Sequence, residues 1–232
     1  MSAALHPDDV FAPVLCTGIC GSGKTYTLQT KAAEAAAEGR HRVLVLDTGH
    51  QWPGEPLRQT TPVVRYTIVR TAAGARRALD AGVGYVVARL ERTRDGKGPP
   101  LRPAAEELAR VALEAGDVVL ILPEVHLSQP NTGGSLSPCV GELVHEYRHR
   151  RAGVWGDTQH LRDLHTELRD AARLLCVHAT DSKRDFRTLR DEYADELDPA
   201  IHEALRRKVA GEPGWRVELV RGFREPPFEL VR

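Results

Sequence analysis

Gly18-Ile19-Cys20-Gly21-Ser22-Gly23-Lys24-Thr25 matches the pattern G-x-x-x-x-G-K-[ST] without a mismatch. The apolar run Val14-Leu15-Cys16 precedes it, and a stretch of helix-forming residues from Tyr26 to Glu38 follows. A strand before and a helix after distinguish a phosphate-binding loop from a chance match. Glycines let backbone N–H groups turn inward around phosphate oxygens, while the helix directs its positive end at them. Lys24 is placed to reach the β- and γ-phosphates, and the Thr25 hydroxyl to hold Mg²⁺. Residues 18–26, Tyr26 included, are thus the candidate contacts for ATP.

Outward from this loop the chain alternates between two periods. Strands are expected over 14–17, 42–47, 63–69, 85–90, 118–122, 153–158 and 173–178, several as continuous apolar runs. Helices are expected between them, over 25–38, 72–81, 103–115, 140–150, 161–169 and 183–194, the last starting at Asp181 or Ser182. Alternation of this kind, with a phosphate loop after the first strand, predicts a three-layer α/β fold with a mostly parallel sheet. The tail departs from the pattern. A helix is expected over 199–209, a strand over 214–221 and an extended Pro-Pro ending at 225–228, which together predict a β-type appendage or edge hairpin.

The chain of 232 residues is read as one domain over 1–232, with a core over about 12–195 and the appendage over about 196–232. Its net charge is zero, so any contact with nucleic acid must come from a local patch or a ring of subunits. Cys16, Cys20, Cys139 and Cys176 lack zinc-finger spacing and read as free thiols of a reducing cytosol. With neither a signal-peptide pattern nor a long apolar run, the expectation is a cytoplasmic protein without a membrane span. The loops 91–102 and 127–138 are long and irregular, and each is a plain connection or a binding loop.

Hydrolysis needs an oriented water and a base. The apolar strand 118–122 ends in Pro123-Glu124, where ATPases usually have Asp-Glu. Glu124 is the candidate base and a candidate on the metal side with Thr25, whereas Pro123 removes the usual Mg²⁺-side acid. The stretch Gly153-Val-Trp-Gly-Asp157-Thr158-Gln159 is a second constellation. Gln159 could place a neutral amide beside the γ-phosphate. Asp157, two residues away and on the same side of an extended chain, is either a substitute acid or an ordinary surface carboxylate. Asp47 ends the second strand near the switch point, and is either a site acid or a cap for the following turn. In the cluster Arg148-His149-Arg150-Arg151, cations at a helix C-terminus are one reading. An arginine finger reaching a neighbouring subunit's nucleotide is the other, with Arg148 and Arg150 as candidates.

In this order the motifs resemble the FtsK–HerA superfamily of DNA-pumping ATPases. The residues that carry the resemblance are 18–25, Val43 to Trp52, Val118 to Glu124, and above all Arg148-His-Arg-Arg through Thr158-Gln159 with the stretch running to Leu189. Within that superfamily the chain is most similar to the compact genome-packaging ATPases of tailless, membrane-containing viruses, and more distantly to Zot-like proteins. The resemblance implies a RecA-like fold, a ring of five or six subunits, duplex DNA in its pore and ATP cut between neighbours. It also implies a capsid or membrane protein at a portal vertex as partner, and host-cytoplasmic or virion-associated work. Other readings stay open: a Zot-like or conjugative pump, a small-molecule kinase on the same scaffold, or an assembly switch whose hydrolysis Pro123 has weakened.

Overall fold

The computed structural model describes residues 11–60, 62–90, 101–130, 134–192, 197–212, 214–220 and 228–231. In chain order the strands are β1 (Val14–Thr17), β2 (Arg42–Leu46), β3 (Tyr66–Val69), β4 (Tyr85–Ala88), β5 (Val118–Leu122), β6 (Ala152–Thr158), β7 (Leu174–His178), β8 (Arg216–Val220) and β9 (Phe228–Val231). They form one sheet in the order β3-β4-β2-β5-β6-β1-β7-β8-β9. All pairings from β3 to β7 are parallel. β8 and β9 add an antiparallel hairpin to the β7 edge.

Alternation along each strand divides the core in two. On β1, Leu15 joins one apolar cluster with Leu44, Leu120 and Val154, whereas Val14 and Cys16 join the other with Val43, Ile121 and Trp155. The first cluster is capped by α3 (Ala72–Asp80), α4 (Leu101–Ala115) and α6 (Pro138–His145), and the second by α1 (Lys24–Ala37). Helices therefore cover both faces, as buried parallel strands require. A short α2 (Gly54–Arg58) adds Leu57 to the α1 side.

Register places the functional loops. Thr17 lies beside Thr158 and Val177, and Leu122 beside Gly156, so β1, β5, β6 and β7 end together. β6 is inserted between the strand of the glycine loop and the strand of Glu124. In open α/β sheets ligands bind at this carboxyl end.

Several expected elements are shorter or divided. The helix expected over 140–150 breaks at Glu146 into α6 and α7 (Tyr147–Arg150), because Glu146 leaves helical geometry at φ −111, ψ 14. The helix over 161–169 becomes a 3₁₀ turn, Leu161–Asp163, then α8 (Thr166–Ala171); between them Leu164 is extended and bridges Pro130. The strand over 63–69 keeps only its last four residues. Two short helices, α2 and α5 (Val125–Ser128), escape periodicity because they span barely a turn. Ser182, rather than Asp181, accepts from the Asp185 N–H at 3.2 Å and begins α9 (Lys183–Glu192). The last helix, α10 (Leu197–Val209), packs against β7 and β8. No helix among the described residues is long and apolar enough to cross a membrane.

Candidate active site

The glycine loop joins β1 to α1. Gly23 is the N-cap of α1 at φ 101, a left-handed geometry that side chains resist. A Cβ there would also lie 3.1 Å from the Gly214 Cα, so the turn between α10 and β8 closes on the loop. Three further bonds fix the loop's shape. Ile19 N–H donates to the Ala179 carbonyl at 2.9 Å, and Gly214 N–H donates to Ser22 O at 3.3 Å. The buried His178 ring meets the same Ser22 carbonyl through Nδ1 at 3.0 Å. A carbonyl only accepts, so Nδ1 carries the proton. Burial, then the Arg216 charge, push the His178 pKa down to about 3, leaving the ring neutral.

The Ser22 hydroxyl is buried without a protein partner, a donor that an anionic oxygen would satisfy. Lys24 Nζ donates to Ile19 O at 3.1 Å, and burial lowers its pKa against the opposing pull of Asp157. A pocket of about 640 Å³ opens here, bordered by Gly21, Gly23, Lys24, Thr25, Tyr26 and Gly214. That lies within the roughly 300–1,000 Å³ of small-molecule sites.

Asp157 links Thr25 to the Glu124 backbone. Thr25 Oγ1 donates to Asp157 Oδ2 at 3.0 Å, and the other oxygen, Oδ1, accepts from the Glu124 N–H at 2.5 Å. Asp157 is 2% exposed, so the reading of it as a surface acid is excluded. Burial raises its pKa, and the bonds from Glu124 and Thr25 counteract that shift. Glu124 begins α5 in the left-handed region, φ 48 and ψ 50, rather than simply ending a strand. Its Oε1 takes a long bond, 3.5 Å, from Gln159 Nε2. Gly156 makes this crossing possible. A Cβ at Gly156 would sit 2.9 Å from Val125 Cβ and 3.0 Å from the Leu122 carbonyl.

Mg²⁺ fits this donor set. A hydroxyl whose proton is committed to a carboxylate turns its lone pairs elsewhere, and Mg²⁺ favours oxygen ligands completed by phosphates and water. No group of three or more acidic, His or Cys side chains that could hold a metal occurs among the described residues, so the protein's share would be Thr25, with Glu124 near it.

Other expected residues lie elsewhere. Arg148 and Arg150 precede β6, whereas the glycine loop follows the C-terminal end of the neighbouring parallel strand. The seven residues of β6 put them about 23 Å from the glycine loop. Arg150 is paired with Glu142, and the Arg148 guanidinium lies 5.5 Å from the Tyr147 ring centre. Asp47 is a cap: it accepts from the Gln51 and Trp52 N–H groups and pairs with Arg89 at 2.9 Å. The loop over 127–138 is pinned at its base, where Gln129 bonds Ser137 at 2.8 and 2.9 Å; residues 131–133 lie outside the described chain. In the other loop, residues 91–100 also lie outside it. All four cysteines are free thiols.

Neither a protein-family model nor a curated protein matches the sequence. Solved structures do match in fold. The genome packaging NTPase of Sulfolobus turreted icosahedral virus 2, in complex with sulfate, superposes with a TM-score of 0.70 at 15% identity, over 98% of each chain. The chain has the RecA-like P-loop NTPase fold. The same viral NTPase in complex with ATP-gammaS gives a TM-score of 0.68 at 16% identity, again over 98% of each chain. VirB4 of Thermoanaerobacter pseudethanolicus gives 0.62 at 10% identity, over 99% of this chain and 91% of that one. The sequence marked the loop, and Glu124 as a candidate only. It did not mark His178 or Gly214, whose backing of the loop has no motif.

Proposed function

We propose that this chain is an ATP-hydrolysing motor of the FtsK–HerA type that drives double-stranded DNA into a viral capsid, as one ATPase domain working in a homo-oligomeric ring. The observation that carries the ATPase reading is the meeting of Lys24, Thr25, Glu124 and Gln159 at the ends of three adjacent parallel strands. The backbone of residues 18–25 wraps the phosphates and Lys24 neutralises them, while the buried Ser22 hydroxyl is free to donate. Glu124 orients the attacking water and takes its proton. The Gln159 amide, in reach of Glu124, senses the terminal phosphate and steadies that carboxylate. Mg²⁺ held at Thr25 would offset charge on the phosphates.

DNA as the moving cargo is supported by fold likeness to a viral genome packaging NTPase over nearly the full length of both chains. A conjugation-type pump is the second reading, favoured by the likeness to VirB4. Arg148 and Arg150, distant from this chain's glycine loop, are the proposed contacts to a neighbour's nucleotide. Phosphate release measured with and without linear duplex DNA tests the motor, together with mass at several protein concentrations. Turnover that rises with DNA and falls with added salt is expected. Turnover indifferent to DNA but raised by a phosphorylatable small molecule would replace the motor with a kinase.

A further inference from the structure

The end of β5 offers Pro123 where an acid would support the cation, yet one carboxylate stands between the cation ligand and the base. We infer that Asp157, on the inserted strand β6, is the positioning residue that replaces this acid and couples the metal side to Glu124; this rests on the ATPase reading above. Three observations carry it. Both carboxylate oxygens are committed, one to the Thr25 hydroxyl at 3.0 Å and the other to the Glu124 N–H at 2.5 Å. At 2% exposure the group is shielded from bulk water, where an acid without such partners would be costly. The Glu124 backbone is left-handed, at φ 48, and a charge-assisted bond to its N–H helps hold it there.

Thr25 orientation is thereby set from behind. Partners that orient a metal ligand typically affect metal affinity about 10–100-fold. Moving the acid from β5 to β6 also changes what is connected. One side chain touches Thr25, next to the phosphates, and the peptide of the residue that handles water. A shift of Thr25 toward a bound cation therefore pulls on the Glu124 peptide through a single rigid group. Gly156, directly before Asp157, lets β6 lie close enough to α5 for that reach.

The test is Asp157→Asn, nearly the same shape and able to keep only one of the two acceptor roles. Binding of ATP-gammaS is measured by calorimetry in Mg²⁺ and again in EDTA, with thermal unfolding recorded in EDTA. The expected result is affinity about 10–100-fold weaker in Mg²⁺ and affinity within about twofold of wild type in EDTA, with unfolding still cooperative. Full Mg²⁺-dependent affinity in the variant would overturn the inference. So would an equal loss in both buffers, which marks a general structural role. Wild-type protein that binds no nucleotide in either buffer would instead defeat the ATPase reading itself.

Discussion

Asp157 accepts the Thr25 hydroxyl proton at 3.0 Å across 132 positions of sequence. The contact exists because β6 lies directly beside β1, with Asp157 in register with Cys16 just before the loop. A strand inserted between the phosphate loop and the candidate base can therefore supply what the base's own strand lacks.

Replacing Gly156 by Ala tests how closely β6 and α5 must approach. The new methyl group meets Val125 Cβ at 2.9 Å and backbone at 3.0 Å, so the elements must separate. Overpacking of this kind costs about 1–3 kcal/mol. A lower urea midpoint is expected, with turnover reduced more than nucleotide affinity because Val125 adjoins Glu124. Unaltered stability and turnover would show that α5 is free to move.

His41 supplies a pH dependence away from the site. Its ring lies 5.6 Å from that of Phe11 and 5.3 Å from that of Trp155, with neither nitrogen hydrogen-bonded. Burial, followed by the Arg40 charge, pushes its pKa down to about 4. The unfolded chain binds the proton near pH 6.5 and the folded chain only near 4, so stability holds above 6.5 and falls through that window. The slope from this group is about 1.4 kcal/mol per pH unit. Denaturant unfolding of His41→Phe between pH 7 and 4 should show a slope shallower by one proton, the His178 contribution remaining. An unchanged slope would mean that His41 titrates normally in the folded protein.

The arginines call for mixed assemblies. Lys24→Ala should weaken ATP binding roughly 10–100-fold or more, the value of losing charged hydrogen bonds. Arg148→Ala and Arg150→Ala are then each mixed with Lys24→Ala subunits. If one of them is the finger, worth roughly 10³–10⁵ in rate, the mixture regains turnover that neither parent has. Mixtures as inactive as their parents would exclude action on a neighbour's nucleotide, and a single variant with full activity would remove that arginine from catalysis.

The parts of the fold that could be read in advance were those carried by composition. Val118 to Leu122 is apolar throughout, as expected of a short strand covered on both faces, and residues 18–25 announce their loop by glycine spacing. Elements set by contacts between distant segments could not be read so. The break at Glu146 and the extended Leu164 depend on neighbours rather than on local preference. For the site, the sequence showed Glu124 as a residue type at a strand end. Its left-handed backbone and its bond to Asp157 come from the order of strands, which periodicity does not encode. Asp47 illustrates the converse: its position left a site acid or a turn cap open, and only the contacts with Gln51, Trp52 and Arg89 decide for the cap.

Phosphate release from ATP and Mg²⁺ by wild-type protein and Glu124→Gln, side by side, tests the central claim most directly. Wild-type protein should turn over ATP, and the variant should bind it with similar affinity while releasing phosphate about 10²–10⁴-fold more slowly. Equal rates in the two proteins, with binding intact, would contradict the assignment of Glu124 and the hydrolytic site built around it.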